Sequence, residues 1–430
     1  MNDIKGKITG YISKLNRTGF FAIVLSNIFA KVVTFLGGMV LVRLLSKEDY
    51  GYYADILNNY GIMFILCDFG NCVAMMQYRS EFFHDKKKSN DYFTSAYKFG
   101  MLATCAASLI LLFSPFYYPY KYGESVKLTQ ALFLLPFIST TNNFIQANLR
   151  VLTKNKKFAL LNISNTFVHY GVLLPFSYFW GLLGAVMANY GIALGTLVIS
   201  LLISKTDLRF DWKSSLLSTG EKKSFLKFAF ASQLNNSIGG MLNLFDIFLI
   251  GQIIISGEVI ASYKVASTIP QALLFIPNSI IIYIVPYFAR NNSNKKWVRD
   301  NYKRVLALSS LINGGLTISF ILLSQFIIPI IYGRQYTDAI SCFIILMIAF
   351  FFNGSLYIPS ANIIYTQHRV RVNLFITIVS NIVNCVLDVI LIKRMGSIGA
   401  AYSTLAVSIV SASVGVSYMI KIEHEKGRNE

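Results

Sequence analysis

The sequence predicts an all-α polytopic membrane protein of about twelve transmembrane helices, arranged as two pseudo-symmetric six-helix halves around a central cavity. Three observations carry that prediction: the composition, the number of long apolar runs and an internal repeat. Of 430 residues, 54% are hydrophobic and 14% charged, with a mean hydropathy of +0.54. Soluble domains carry about 25% charged residues, so this chain lacks the charge to cover a water-exposed surface. A disordered chain, a secreted disulfide scaffold and nearly all soluble enzymes are excluded.

Crossing a hydrocarbon core of about 30 Å takes about 20 helical residues. Runs of that kind fall at 18–44, 52–77, 93–117, 128–149, 158–180, 182–204, 228–254, 260–288, 305–332, 339–365, 372–392 and 398–420. Lys5, Lys7, Lys14 and Arg17 precede the first run as a signal peptide's basic region would. That run is too long for a signal-peptide core, lacks a clear cleavage site and is followed by eleven more, so it reads as a retained helix. With both termini cytoplasmic, 29 of the Lys and Arg residues fall on the cytoplasmic side and 6 on the other. This asymmetry predicts the orientation and accounts for the formal charge of +19. Its dispersal over short loops argues against nucleic-acid binding.

The longest loop, 205–227, divides the chain into an N-terminal half, 1–204, and a C-terminal half, 228–430. The halves are related. Ser46-Lys-Glu-Asp-Tyr-Gly51-Tyr-Tyr-Ala aligns with Ser256-Gly-Glu-Val-Ile-Ala261-Ser-Tyr-Lys at an offset of 210; Thr153 aligns with Thr366 at 213; and Gly181-Leu-Leu-Gly184-Ala185 aligns with Gly396-Ser-Ile-Gly399-Ala400 at 215. Six spans per half is an even number, so both halves enter from the same side. The repeat is therefore parallel, and the expected substrate site is the cavity between halves.

Charges inside spans are costly, at least about 2.5 kcal/mol at mid-bilayer, and are functional candidates by default. The cations are Lys31, Arg43, Lys98 and Lys264; the acids are Asp55, Asp68, Asp246 and Asp388. Lys98 and Arg43 lie near span ends, where a long side chain reaches the interface. Lys31 lies 13 residues into its run, on a stripe with Asn27, Thr34 and Gly38 that has the spacing of a cavity wall. Asp55 aligns with Val265, so an ion pair with Lys264 across the cavity stands beside local polar packing as a reading. Asp68 and Asp246 are candidates for coupling to H+ or Na+, or else carboxylates paired with Asn or backbone. Asp388 is expected to pair with nearby Lys393. Pro270, Pro277 and Pro286 mark span eight as a candidate gating helix. Asn is abundant inside the spans, from Asn142 to Asn384, and fits interhelical hydrogen bonding or a hydrophilic passage.

No catalytic constellation is present. There is no Walker A sequence; His84, His169, His368 and His424 are scattered; and Cys67, Cys72, Cys105, Cys342 and Cys385 lack metal or disulfide spacing. No loop can house the catalytic domain of a polymerase or glycosyltransferase, so the chain is expected to be neither an enzyme nor a holder of any metal or other cofactor beyond a coupling ion.

LVRLLSKEDYGYYADIL (41–57), LRVLTKNKKFALLNI (149–163), GLLGAVMAN (181–189), NLFDIFLIGQIIISGEVIASYKVA (243–266) and YGRQY (332–336) together resemble the O-antigen and polysaccharide flippases of the multidrug/oligosaccharidyl-lipid/polysaccharide exporter superfamily. The resemblance spans almost the whole chain. It implies a carrier in the bacterial cytoplasmic (inner) membrane that turns undecaprenyl-diphosphate-linked oligosaccharides, the repeat units of O-antigen or lipopolysaccharide, toward the periplasmic leaflet. It also implies membrane lipids, and a polysaccharide polymerase and chain-length regulator, as partners. The basic cavity residues of such carriers correspond here to Lys31, Arg43 and Lys264; Lys98 joins them as a candidate substrate-binding cation, and Asp55, Asp68 and Asp246 are candidates for ion coupling or gating. Twelve spans rather than fourteen separate the chain from the related lipid II flippases. A cation-coupled drug exporter of the same superfamily is the alternative reading.

Overall fold

The computed structural model describes residues 20–113, 123–205, 207, 217–367 and 369–427. Lys5, Lys7, Lys14, Arg17, positions 206 and 208–216 of loop 205–227 and His368 lie outside the described residues, as do the side chains of Asn235, Asn236 and Asn243. Among the described residues the chain is helical throughout, without strands. In order come α1 (Phe20–Leu44), α2 (Lys47–Ile65), α3 (Asn71–Glu81), α4 (Lys86–Leu112), α5 (Gly123–Ala131), α6 (Leu135–Val151), α7 (Asn155–Ser204), α8 (Thr219–Ile254), α9 (Gly257–Leu273), α10 (Phe275–Arg290), α11 (Lys295–Leu322), α12 (Ser324–Tyr332), α13 (Ala339–Phe352), α14 (Ile358–Thr366), α15 (Val370–Met395) and α16 (Ser397–Gly427).

Nine helical stretches among the described residues are long and apolar enough to cross a membrane. One of them, α7, holds two of the expected spans, because Gly181 (φ 56°, ψ −137°) breaks it internally. The run at 128–149 is divided between α5 and α6, neither as long as 18 residues, and of the run at 228–254 the stretch Leu244–Ile254 counts as a shorter apolar helix; α6 carries Thr140, Thr141, Asn142, Asn143, Gln146 and Asn148 in quick succession. Large apolar side chains point outward along these helices, Ile282 at 76% and Leu311 at 75% exposure. Aliphatic surface of that extent suits lipid rather than water. The protein is thus a multi-pass membrane protein.

Helix ends follow local chemistry. Ser46 caps α2 by accepting from the Asp49 amide, and Asp85 caps α4 through the Lys88 amide. The cap at Asp85 starts α4 seven residues before the apolar run expected at 93. Span eight is two helices, α9 and α10, divided at Leu274, with Pro270 inside the first and Pro286 inside the second. The expected span 339–365 is α13 and α14 joined by a π-helical turn, Asn353–Tyr357.

The repeat read from sequence recurs in the backbone. Gly181 and Gly396 adopt nearly the same left-handed geometry, φ 56° and 65° with ψ −137° and −146°. Three residues on, a Cβ at Gly184 would come within 2.0 Å of the Phe176 carbonyl oxygen, and one at Gly399 within 2.2 Å of that of Leu391. Each pair differs by the same offset of 215, so the tight helix-to-helix turn was copied whole.

The described chain forms two compact units. One is drawn from Met1–Asp49 and Ile56–Ser237, the other from Tyr50–Asp55 and Ile238–Glu430. This division is not the division into halves at loop 205–227, since α8 contributes its first part to one unit and its remainder to the other. In the first unit α1 lies along α7, where the Tyr170 ring fills the space beside Gly37 and Tyr170 Oη donates to the Thr34 carbonyl (2.9 Å). Ala74, Met75, Tyr92, Phe93, Phe144 and Phe225 form its core. In the second unit Phe288, Val298, Tyr302, Ile363, Ile364 and Met419 form a core. Gly51 also lies against the Gly257 backbone, within 1.7 Å of any added Cβ.

Candidate functional site

The second unit contains a buried acidic site that brings together residues 142 positions apart. Asp246 on α8 accepts hydrogen bonds at Oδ2 from Tyr263 Oη on α9 (2.5 Å) and Thr404 Oγ1 on α16 (2.8 Å). The carboxyl of Asp388, on α15 and fully buried, faces that of Asp246. Asn384, one turn before Asp388, donates to Ser403 Oγ (3.0 Å), which in turn donates to the Asn384 carbonyl (3.1 Å). Asp246 Oδ1 and both Asp388 oxygens are buried and, among the described residues, receive no hydrogen bond. Two facing carboxyls in a low-dielectric interior need a proton or a cation to compensate their charge. Oxygens from two carboxylates, a hydroxyl and an amide are a donor set suited to a hard monovalent cation. Among the described residues no group of three or more His, Cys, Asp or Glu side chains is placed to hold a metal ion.

The expected pairing of Asp388 with Lys393 does not form. Five residues along a helix turn through about 500°, which places Lys393 on a different face, and it is exposed while Asp388 is not. Sequence reasoning also left Tyr263 and Thr404 unnoticed as partners of Asp246. A signal for Asn384 and Asp388 was available, since their i, i+4 spacing puts both on one face of an otherwise apolar helix.

The other candidates lie apart from this pair. Asp55 is buried on α2, with Oδ1 beside Gly251. Lys264 is half-buried on α9. Its carbonyl accepts from Ser267 and Thr268. Asp68 sits in a break between α2 and α3, where Asp68, Phe69 and Gly70 all have positive φ. Its carboxylate faces the amides of Gly70, Asn71 and Cys72 at the start of α3, a cap-like arrangement. Its amide donates to Thr104 Oγ1 (3.2 Å). Lys31 and Arg43 are exposed on α1, and Lys98 is half-buried on α4. Of the stripe assigned to Lys31, Asn27 accepts from Asn162 Nδ2 on α7 (2.9 Å), so helix packing occupies part of it. All five cysteines are free thiols.

The described residues are those of an all-helical, multi-pass membrane protein, and comparison with known proteins makes the class specific. Residues 40–341 match the polysaccharide biosynthesis protein family, and the chain belongs to that family. It is 24% identical over 423 residues to the probable low-salt glycan biosynthesis flippase Agl15 of Haloferax volcanii, covering 92% of this chain and 81% of the relative. Two solved structures share the fold. An inward-facing multidrug resistance MATE family transporter of the MOP superfamily superposes with a TM-score of 0.73 at 14% identity, covering 93% of this chain and 96% of that one. The lipid II flippase MurJ in an inward closed conformation gives 0.71 at 16% identity, covering 93% and 87%.

Proposed function

We propose that the protein is a flippase that moves a lipid-linked, diphosphate-bearing oligosaccharide from the cytoplasmic to the outer face of the bacterial cytoplasmic membrane, for assembly of O-antigen or a related surface polysaccharide. The observation that carries this reading is membership of the polysaccharide biosynthesis family over most of the chain. The lipid carrier is undecaprenyl diphosphate, both termini are cytoplasmic, and a polymerase and chain-length regulator act on the product. Alternating access is the mechanism, with the lipid tail staying in the bilayer while the headgroup crosses. A diphosphate crossing unpaired would face a prohibitive desolvation cost; Lys31, Arg43, Lys98 and Lys264 are the cations assigned to it.

Coupling to H+ or Na+ is assigned to Asp246 with Asp388, because three of their four oxygens are buried with no donor among the described residues. The ion is a transported substrate. Its binding removes the charge that otherwise opposes close packing of α8, α15 and α16, which gives the site a way to favour one conformation over another. Asp55 and Asp68 are then left with gating or structural work.

The fold is shared with a multidrug resistance transporter, so the deciding experiment separates the two cargoes. Deleting the gene in its host and complementing it is expected to cause loss and recovery of the surface polymer, with accumulation of lipid-linked repeat units in the deletion strain. Unchanged glycans with raised sensitivity to lipophilic cations would reject the flippase in favour of the exporter.

A further inference from the structure

A cavity of about 160 Å³ opens beside the carboxyl pair, wholly within the second unit, with Asp246 and Tyr263 in its wall. An apolar cavity of roughly 150 Å³ admits a six-membered ring the size of benzene. This one has that capacity but a different lining. Gln271, Asn353, Thr377, Ser380, Ser408 and Ser411 supply neutral donors and acceptors, Tyr357 and Phe350 supply aromatic surface, and no Lys or Arg lines it. Several of the hydroxyls are held in place by the protein: Ser380 and Ser411 hydrogen-bond one another (2.7 Å), and Thr377 donates to the Asn373 carbonyl (2.9 Å). Asn353 and Tyr357 begin and end the π-helical turn, a widened geometry that recurs at functional sites.

We propose that this cavity is a subsite for an uncharged sugar ring of the transported headgroup. The inference rests on the flippase reading and extends it by separating the diphosphate from the glycan. A diphosphate in this cavity would meet a carboxylate and no cation. A lipophilic cation would meet one acid whose Oδ2 already accepts two hydrogen bonds, among otherwise neutral groups. A sugar hydroxyl both donates and accepts, as the Ser, Thr, Asn and Gln groups here do, and its ring presents a C–H face to the aromatic wall. A site built to hydrogen-bond hydroxyls discriminates strongly against ligands that lack them, because its polar groups are then left unpaired. Sharing Asp246 between the cavity and the carboxyl pair places the sugar against the ion site.

The test uses the full chain in liposomes and two probes: a prenyl diphosphate carrying a neutral oligosaccharide, and the same prenyl diphosphate carrying no sugar. Asn353→Leu and Gln271→Met replace neutral amides with apolar side chains of similar size; Gln271 is the more exposed, so its variant serves if the other does not fold. The ratio of oligosaccharide-lipid to sugar-free-lipid flipping is expected to fall at least tenfold in each variant. An unchanged ratio, whether both rates fall together or neither falls, would overturn the subsite while leaving the flippase intact. Wild-type protein that moves neither lipid but moves tetraphenylphosphonium would reject the flippase reading itself, and the subsite with it.

Discussion

Asp246 uses its two oxygens differently: one accepts from Tyr263 and Thr404, while the other is buried beside Asp388 with no donor among the described residues. Substituting Asn for Asp388 keeps the shape and removes one uncompensated charge. Asp388→Asn is therefore expected to abolish the dependence of transport on an imposed H+ or Na+ gradient without lowering thermal stability in detergent, since neutralising an unpaired buried charge does not weaken a fold. A loss of folding without a change in ion dependence would contradict the assignment. Away from the spans, Glu221 pairs with Lys88 Nζ at 2.8 Å. The Lys88 ammonium, with help from Ser218, holds the Glu221 carboxyl down at about 2, below its ordinary 4.5. A lowered folded-state value means the contribution is fully present above the unfolded value and is lost as pH falls from about 4.5 through about 2. The stability difference between wild type and Glu221→Gln, followed by thermal unfolding, is expected to be small, steady down to about pH 4.5 and smaller below. The pair is exposed at the surface, and salt should diminish it too.

Helix breaks decide which positions tolerate change. Gly181 and Gly396 hold a backbone geometry close to the region reserved for glycine, so Gly181→Ala and Gly396→Ala should each destabilise by about 1–3 kcal/mol, read as a lowered Tm. Gly51→Val should do worse, because the added atoms collide with the Gly257 backbone rather than with a flexible side chain. The apolar runs made nearly every span legible in advance, and repeated motifs located the Gly181 and Gly396 turns. The breaks within spans were less visible. Nothing in the local pattern of DFGNC announces three successive positive φ values, and the widened turn at Asn353–Tyr357 answers to packing around it rather than to its own residues. The acidic pair was half legible: Asp246 stood out as a charge in an apolar helix, but sequence proximity suggested Lys393 as the partner of Asp388 when three-dimensional proximity supplied Asp246.

The whole chain carries its orientation in its charges. With 29 basic residues assigned to one side and 6 to the other, reporter fusions at either terminus are expected to signal from the cytoplasm, and a reporter at Arg334 or Lys393 from the opposite side. A periplasmic signal from either terminus would invert the topology and with it the direction of transport proposed above.

The repeat offsets allow one more comparison. Subtracting 210 from Asp246 gives Leu36, and subtracting 215 from Asp388 gives Leu173. Where one copy of the ancestral six-helix unit carries its acids, the other carries leucine, although both keep the same glycine turn. Duplication preserved the scaffold and let the chemistry diverge. A monovalent ion taken up at this pair, as proposed above, would be sensed by one half of a symmetric frame, and an asymmetric stimulus acting on a symmetric frame is what gives a cycle a direction.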